Sequence, residues 1–221
     1  MAIFTTHGGE PDGPVLLLAH GAGAPADSPF MEEMAECLAR QGITSVRFEF
    51  PYMVKRREDG RKRPPDRQPA LLQSFEQVLT EISSTLGEGR PVFIGGKSMG
   101  GRMASLLAAQ SRLAGRFLGV VCLGYPFHPP GRPDRWRIEH FDDVWCPVCV
   151  IQGTRDPFGK RDEVEQELLP PANLKLVWLE GGNHDLKPLA RQPESHSMLL
   201  EQAAGAAAAF IQSVLGPKTD H

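Results

Sequence analysis

Short, wholly apolar runs alternate along this chain with longer segments whose apolar residues recur at helical spacing. Val15-Leu16-Leu17-Leu18-Ala19 is apolar throughout, as a strand covered on both faces would be. Residues 30–40 follow, with Phe30, Met31, Met34, Cys37 and Leu38 on one helical stripe. The spacing then predicts a strand over 43–50, and a helix over 69–86 with Leu72, Phe75, Leu79 and Ile82 on one face. A third strand, 92–94, runs through packed glycines into a helix that carries Met103, Leu106, Leu107 and Ala108 and ends near Ser111. Further strands are read at 117–123, 148–152 and 174–179. A closing helix at 197–215 has Leu199, Ala203, Ala206, Phe210 and Val214 on one side. This strand–helix alternation implies an α/β fold: a mostly parallel sheet with helices on both faces. Nothing in the 221 residues calls for a second domain, so residues 1–221 read as one.

One segment breaks the pattern. Residues 51–69 are polar and rich in proline, and read as a long loop. Within them, 55–63 hold six basic and two acidic side chains, a local charge of +4 in a chain whose net charge is -3. Such a block reads as solvated surface, or else as an anion-binding rim over a site at the carboxyl ends of the strands. The mildly acidic whole gives no reason to expect nucleic acid as a partner. No basic N-terminal segment with an apolar core precedes the first strand, and no uninterrupted apolar run is long enough to span a membrane, so a cytoplasmic location is expected. The four cysteines, Cys37, Cys122, Cys146 and Cys149, are too few for a disulfide framework. Cys146-Pro147-Val148-Cys149 places its second cysteine inside a strand, where a redox pair would open a helix, so buried thiols are expected and no metal or other cofactor.

Chemistry enters at Gly96-Lys97-Ser98-Met99-Gly100. This G-x-S-x-G follows a strand and opens a helix, the context of a nucleophile elbow, where flanking glycines let strand and helix approach. A phosphate loop ending in Gly96-Lys97-Ser98 would need glycine at 91, which is Pro91. Serine needs a base to take its proton and a third group to hold that base. Asp156, in Gly153-Thr154-Arg155-Asp156, and His184, in Gly181-Gly182-Asn183-His184, both lie just past predicted strands. In a parallel sheet Ser98, Asp156 and His184 would therefore project from one edge, in the chain order serine, aspartate, histidine. An oxyanion hole would use the backbone N–H groups of Met99 and, from the loop after the first predicted strand, Ala22. Tyr52, Met53, Tyr125, Phe127 and His128 are candidate walls of a substrate pocket.

His20-Gly21-Ala22-Gly23, Gly96-Lys97-Ser98-Met99-Gly100-Gly101, Gly153-Thr154-Arg155-Asp156 and Gly182-Asn183-His184-Asp185 resemble the motif set of small α/β-hydrolases near the dienelactone hydrolase group. Ala22-Gly23-Ala24-Pro25 and Arg47-Phe48-Glu49-Phe50-Pro51-Tyr52-Met53 are similar, more narrowly, to a largely uncharacterised family of predicted hydrolases. The resemblance implies the α/β-hydrolase fold and places Ser98, Asp156 and His184 at the triad positions. Dienelactone hydrolase itself has cysteine as nucleophile, so lactone substrates do not carry over. Only about two dozen residues, 124–147, separate the fourth and fifth predicted strands, too few for a large cap. The expected activity is hydrolysis of a small ester or related acyl compound through an acyl-enzyme. The alternative is a scaffold that keeps the fold without turnover. Oligomeric state is left open.

Overall fold

The computed structural model describes residues 3–85, 89–168 and 170–217. Its strands are β1 (Ile3–Thr6), β2 (Val15–Ala19), β3 (Thr44–Phe48), β4 (Val92–Lys97), β5 (Val120–Leu123), β6 (Val148–Gly153) and β7 (Leu174–Leu179). They form one seven-stranded sheet in the order β1-β3-β2-β4-β5-β6-β7, with only β1 antiparallel to its neighbour. The helices are α1 (Pro29–Arg40), α2 (Pro51–Asp59), α3 (Gln68–Thr85), α4 (Met99–Ala108), α5 (Arg161–Glu167) and α6 (His196–Leu215).

The period-2 alternation of each strand divides its side chains between two cores. Leu17, Val46, Phe48, Ile94, Val120 and Val150 face α3 and α4, packing on Phe75, Leu79, Met103 and Leu107. Leu16, Leu18, Phe93, Val121 and Ile151 face α1 and α6, packing on Met34, Leu38, Leu200 and Phe210. Both faces being covered is why the strands read as unbroken apolar runs. Each fully buried Leu, Val or Phe stabilises by about 1.5–3 kcal/mol. Helix α6, with mean hydropathy 1.3, is the one described helix long and apolar enough by length and composition to cross a membrane. Here Leu199, Leu200, Phe210 and Ile211 bury its apolar face on the sheet.

The loop expected over 51–69 is a correction. Residues 51–59 are helix α2, started by Pro51 at its first turn and closed by Gly60 in the left-handed conformation (φ 69°). Its charges hid a short amphipathic segment that buries Tyr52 and Met53. Arg57 is not a free rim cation: its guanidinium pairs with the buried Glu49 carboxylate (2.5 Å) and with Asp27 (2.7 Å). Arg63 pairs with Asp59, and Arg56 Nη1 donates to the Gly23 carbonyl (3.2 Å). Strand β1 and helix α5 were not anticipated. Strand β1 is a half-exposed edge ribbon, and α5 buries a single apolar residue, Val164, so neither carries a strong periodic signal. The strands read at 43–50 and 117–123 are shorter, Thr44–Phe48 and Val120–Leu123. The end expected for the helix over 69–86, at Leu86, lies outside the described residues.

Parallel pairing sets the site by keeping strand ends level. Ala19 pairs with Gly96, so the loop after β2 leaves the sheet beside the elbow. Gly153 pairs with Leu179, so the loops carrying Asp156 and His184 also start side by side. Among the described residues no cap domain stands over the sheet. Residues 124–147 instead fold onto the core through Tyr125, Phe127, Trp136 and Phe141, with ring centroids 4.9 Å apart for Tyr125–Phe127 and 5.3 Å for Tyr125–Phe141.

Candidate active site

Ser98 stands between the last residue of β4 and the first of α4, at φ 52°, ψ -116°. A non-glycine residue there carries strain on the order of 1–3 kcal/mol, so the surroundings must hold it. They do so at both flanks. The Ser98 N–H donates to the Leu123 carbonyl of β5 (2.9 Å). A Cβ on Gly100 would stand 2.4 Å from the Ala19 carbonyl oxygen, so only glycine lets the new helix pass the end of β2.

His184 and Asp156 arrive from the neighbouring strand ends. His184 Nε2 lies 2.9 Å from Ser98 Oγ, and His184 Nδ1 lies 2.8 Å from Asp156 Oδ2. A carboxylate can only accept, so Nδ1 carries the proton and Nε2 is the acceptor for the serine hydroxyl. Asp156 is fully buried and fully engaged. Its Oδ2 also accepts from Gln152 Nε2 (2.9 Å), and its Oδ1 accepts from the Phe158 N–H (2.9 Å). The two loops interlock: Arg155 N–H donates to the Gly182 carbonyl (3.0 Å), and Gly181 N–H donates to Thr154 Oγ1 (2.8 Å). The histidine loop is folded on Asn183, whose Oδ1 accepts from the N–H groups of Asp185 and Lys187 (2.9 Å each). Phe158 covers the imidazole, with ring centroids 4.2 Å apart and planes 32° apart.

The loop after β2 is fixed from beneath. His20 is buried; its Nδ1–H donates to the Gly21 carbonyl (2.6 Å) and its Nε2 accepts the Phe50 N–H (3.1 Å). Burial pushes the His20 pKa below the usual imidazole value, which keeps this neutral tautomer in place. Tyr52 Oη lies 3.0 Å from the Ala22 carbonyl and 3.3 Å from that of Gly21. Neither the Ala22 nor the Met99 N–H donates a hydrogen bond among the described residues. These are the two amides expected to receive an oxyanion.

A cavity of about 370 Å³ opens beside Ser98. Its walls include Ala22, Phe30, Met31, Lys97, Phe158 and Asp185, together with Ser98 and His184. The five pocket walls read from the sequence are not among them, which corrects that expectation. Tyr52 and Met53 are buried beneath the loop after β2, and Tyr125 and Phe127 are core of the 124–147 segment. His128 is buried against α5, its Nε2 3.4 Å from Glu163. The fold uses these side chains as core, where their place after strand ends reads as ligand-facing. Lys97 and Phe158 lie within or beside a motif at positions that it leaves open, and Phe30 reads as part of its helix's apolar stripe; only the fold shows that the three line one cavity.

The cysteines are free and buried. Burial pushes the Cys146 and Cys149 thiols up to about 12, so neither is a thiolate at neutral pH. Among the described residues, no three His, Cys, Asp or Glu side chains converge as a metal site would require.

Solved structures of similar architecture include a ferulic-acid-bound Est1E from Butyrivibrio proteoclasticus, at 16% identity and TM-score 0.71, covering 97% of this chain and 95% of that one. An α/β serine hydrolase without a lid from Xanthomonas campestris matches at 19% identity and TM-score 0.68, covering 99% of this chain and 90% of that one. Dienelactone hydrolase from Anabaena variabilis matches at 22% and 0.61, covering 90% and 85%. At these identities the likeness is one of fold. The profile of the alpha/beta hydrolase domain family matches residues 12–212, nearly the whole chain. The chain therefore belongs to the alpha/beta hydrolase domain family.

Proposed function

We propose that the protein is a serine hydrolase that cleaves a small ester or related acyl substrate through an acyl-enzyme. The hydrogen-bonded chain from Ser98 Oγ through His184 to Asp156 carries this reading, at 2.9 and 2.8 Å. Ser98 Oγ attacks the acyl carbon as its proton passes to His184 Nε2. The carbonyl oxygen becomes an oxyanion, received by the N–H groups of Ala22 and Met99. Collapse expels the alcohol, which takes the proton from His184 Nε2 and leaves the acyl group on Ser98. Water then attacks that ester, giving its proton to His184, and the acid leaves as Ser98 recovers its hydrogen. Asp156 stays ionised throughout and stabilises the imidazolium.

A cavity of about 370 Å³ on an uncapped face fits a small substrate. The test is the pre-steady-state hydrolysis of 4-nitrophenyl acetate. An acyl-enzyme pathway yields a burst of nitrophenolate approaching one equivalent of wild type and none from Ser98→Ala. Turnover by Ser98→Ala equal to wild type would reject the reading.

A further inference from the structure

Lys97 is a cation where the fold has little reason to put one. It is the last residue of β4, and strand alternation sends its side chain to the face of Phe93, covered by α1 and α6. Only 6% of the residue is exposed, and what it lines is the cavity beside Ser98. Its Nζ lies 5.3 Å from the Phe30 ring centroid. Among the described residues, the one carboxylate within ion-pair reach of it is Asp185, at 3.4 Å. That contact is long for a charge-assisted bond, and the Asp185 side chain is 54% exposed, so water screens it. Asp156 is nearby, but its oxygens are already taken by His184, Gln152 and Phe158. A methionine would fill the same space without desolvating an ammonium. Burial lowers the Lys97 pKa, against the pull of Asp185 and Asp156.

We propose that Lys97 is an anion subsite of this cavity, and that the substrate is an ester whose acyl part carries a carboxylate a few bonds from the scissile carbonyl. A carboxylate would accept from the ammonium donors that Asp185 leaves over, in a pocket dry enough to strengthen the contact. Lys97 directly precedes Ser98 and both line one cavity, so an anion held on Nζ stands close to an acyl carbon presented to Oγ. Half-esters of short dicarboxylic acids meet that description. The substrate assignment rests on the serine-hydrolase reading; the anion subsite does not.

Binding to Ser98→Ala, which needs no turnover, separates the two. Calorimetric titration compares monomethyl glutarate, an anion, with neutral dimethyl glutarate. With Lys97 present the anion binds more tightly by about tenfold or more, and Lys97→Met in the same background brings the two affinities together. Equal affinities with Lys97 present would overturn the subsite, and so would a preference that survives Lys97→Met. The first comparison uses no Lys97 variant, so it decides the matter even if that variant fails to fold. If anion preference is found while Ser98→Ala turns over 4-nitrophenyl acetate as fast as wild type, the hydrolase reading fails and the subsite stands.

Discussion

The Tyr52 hydroxyl lies 3.0 Å from the carbonyl oxygen of Ala22, the residue whose own N–H faces the reaction in the proposed mechanism. It holds the oxyanion loop from the core side. Tyr52→Phe removes that hydrogen bond while keeping the ring, and should cost about 1 kcal/mol of stability. Because the loop would lose its orientation rather than its surface, kcat should fall by about threefold to tenfold with little change in KM. Steady-state kinetics and a denaturant titration check both halves.

Gly153 makes a second prediction, through the loops that bring Asp156 and His184 together. A Cβ there would stand 2.3 Å from the Gly182 carbonyl oxygen. Gly153→Ala must push the histidine loop away and should destabilise by about 3 kcal/mol, the upper end for overpacking, since backbone yields less than side chains. Activity should fall further than folded fraction does, measured at a temperature where the variant remains folded.

Asp156→Asn tests the proposed orienting carboxylate. An amide can present its N–H to the imidazole and select the wrong tautomer, so kcat should drop by about 10³–10⁴ with KM nearly unchanged. Retention of wild-type kcat would show that His184 does not depend on Asp156.

Acid sensitivity has a source away from the site. His140 is largely buried, with Nε2 2.8 Å from Ser105 Oγ, and burial together with the Arg102 charge holds its pKa at about 4. Unfolded, it titrates near 6.5, so between about pH 6.5 and 4 the unfolded chain binds the extra proton. Stability therefore falls as pH drops through that window and gains nothing from this group above it. His140→Gln should reduce the loss of stability between pH 7 and pH 5 by on the order of 1 kcal/mol. Denaturant titrations of both proteins at the two pH values measure it.

The sheet and the residues proposed as a triad were legible because they rest on local patterns. Apolar runs mark doubly covered strands, and Ser98, Asp156 and His184 are polar residues on turn-rich segments just beyond them. Helix α2 was not legible, since six basic residues over 55–63 read as solvent-facing and hid the helix signals of Pro51 and Gly60. The cavity was not legible either. Whether an aromatic residue at a strand end faces a ligand or the core depends on what the following segment covers, and Tyr125 and Phe127 are covered by their own. Lys97 is the converse case: the motif allows any residue there, and only the folded chain, with the Phe30 ring of α1 beside its ammonium, shows it to be buried.

Whether Ser98 is an activated nucleophile is decided by intact mass measurement after exposure to a fluorophosphonate. Folded wild type should gain one adduct, mapped to Ser98, while Ser98→Ala gains none and His184→Ala reacts at least about 100-fold more slowly. Folded wild type that stays unlabelled, or an adduct that persists in Ser98→Ala, would contradict it.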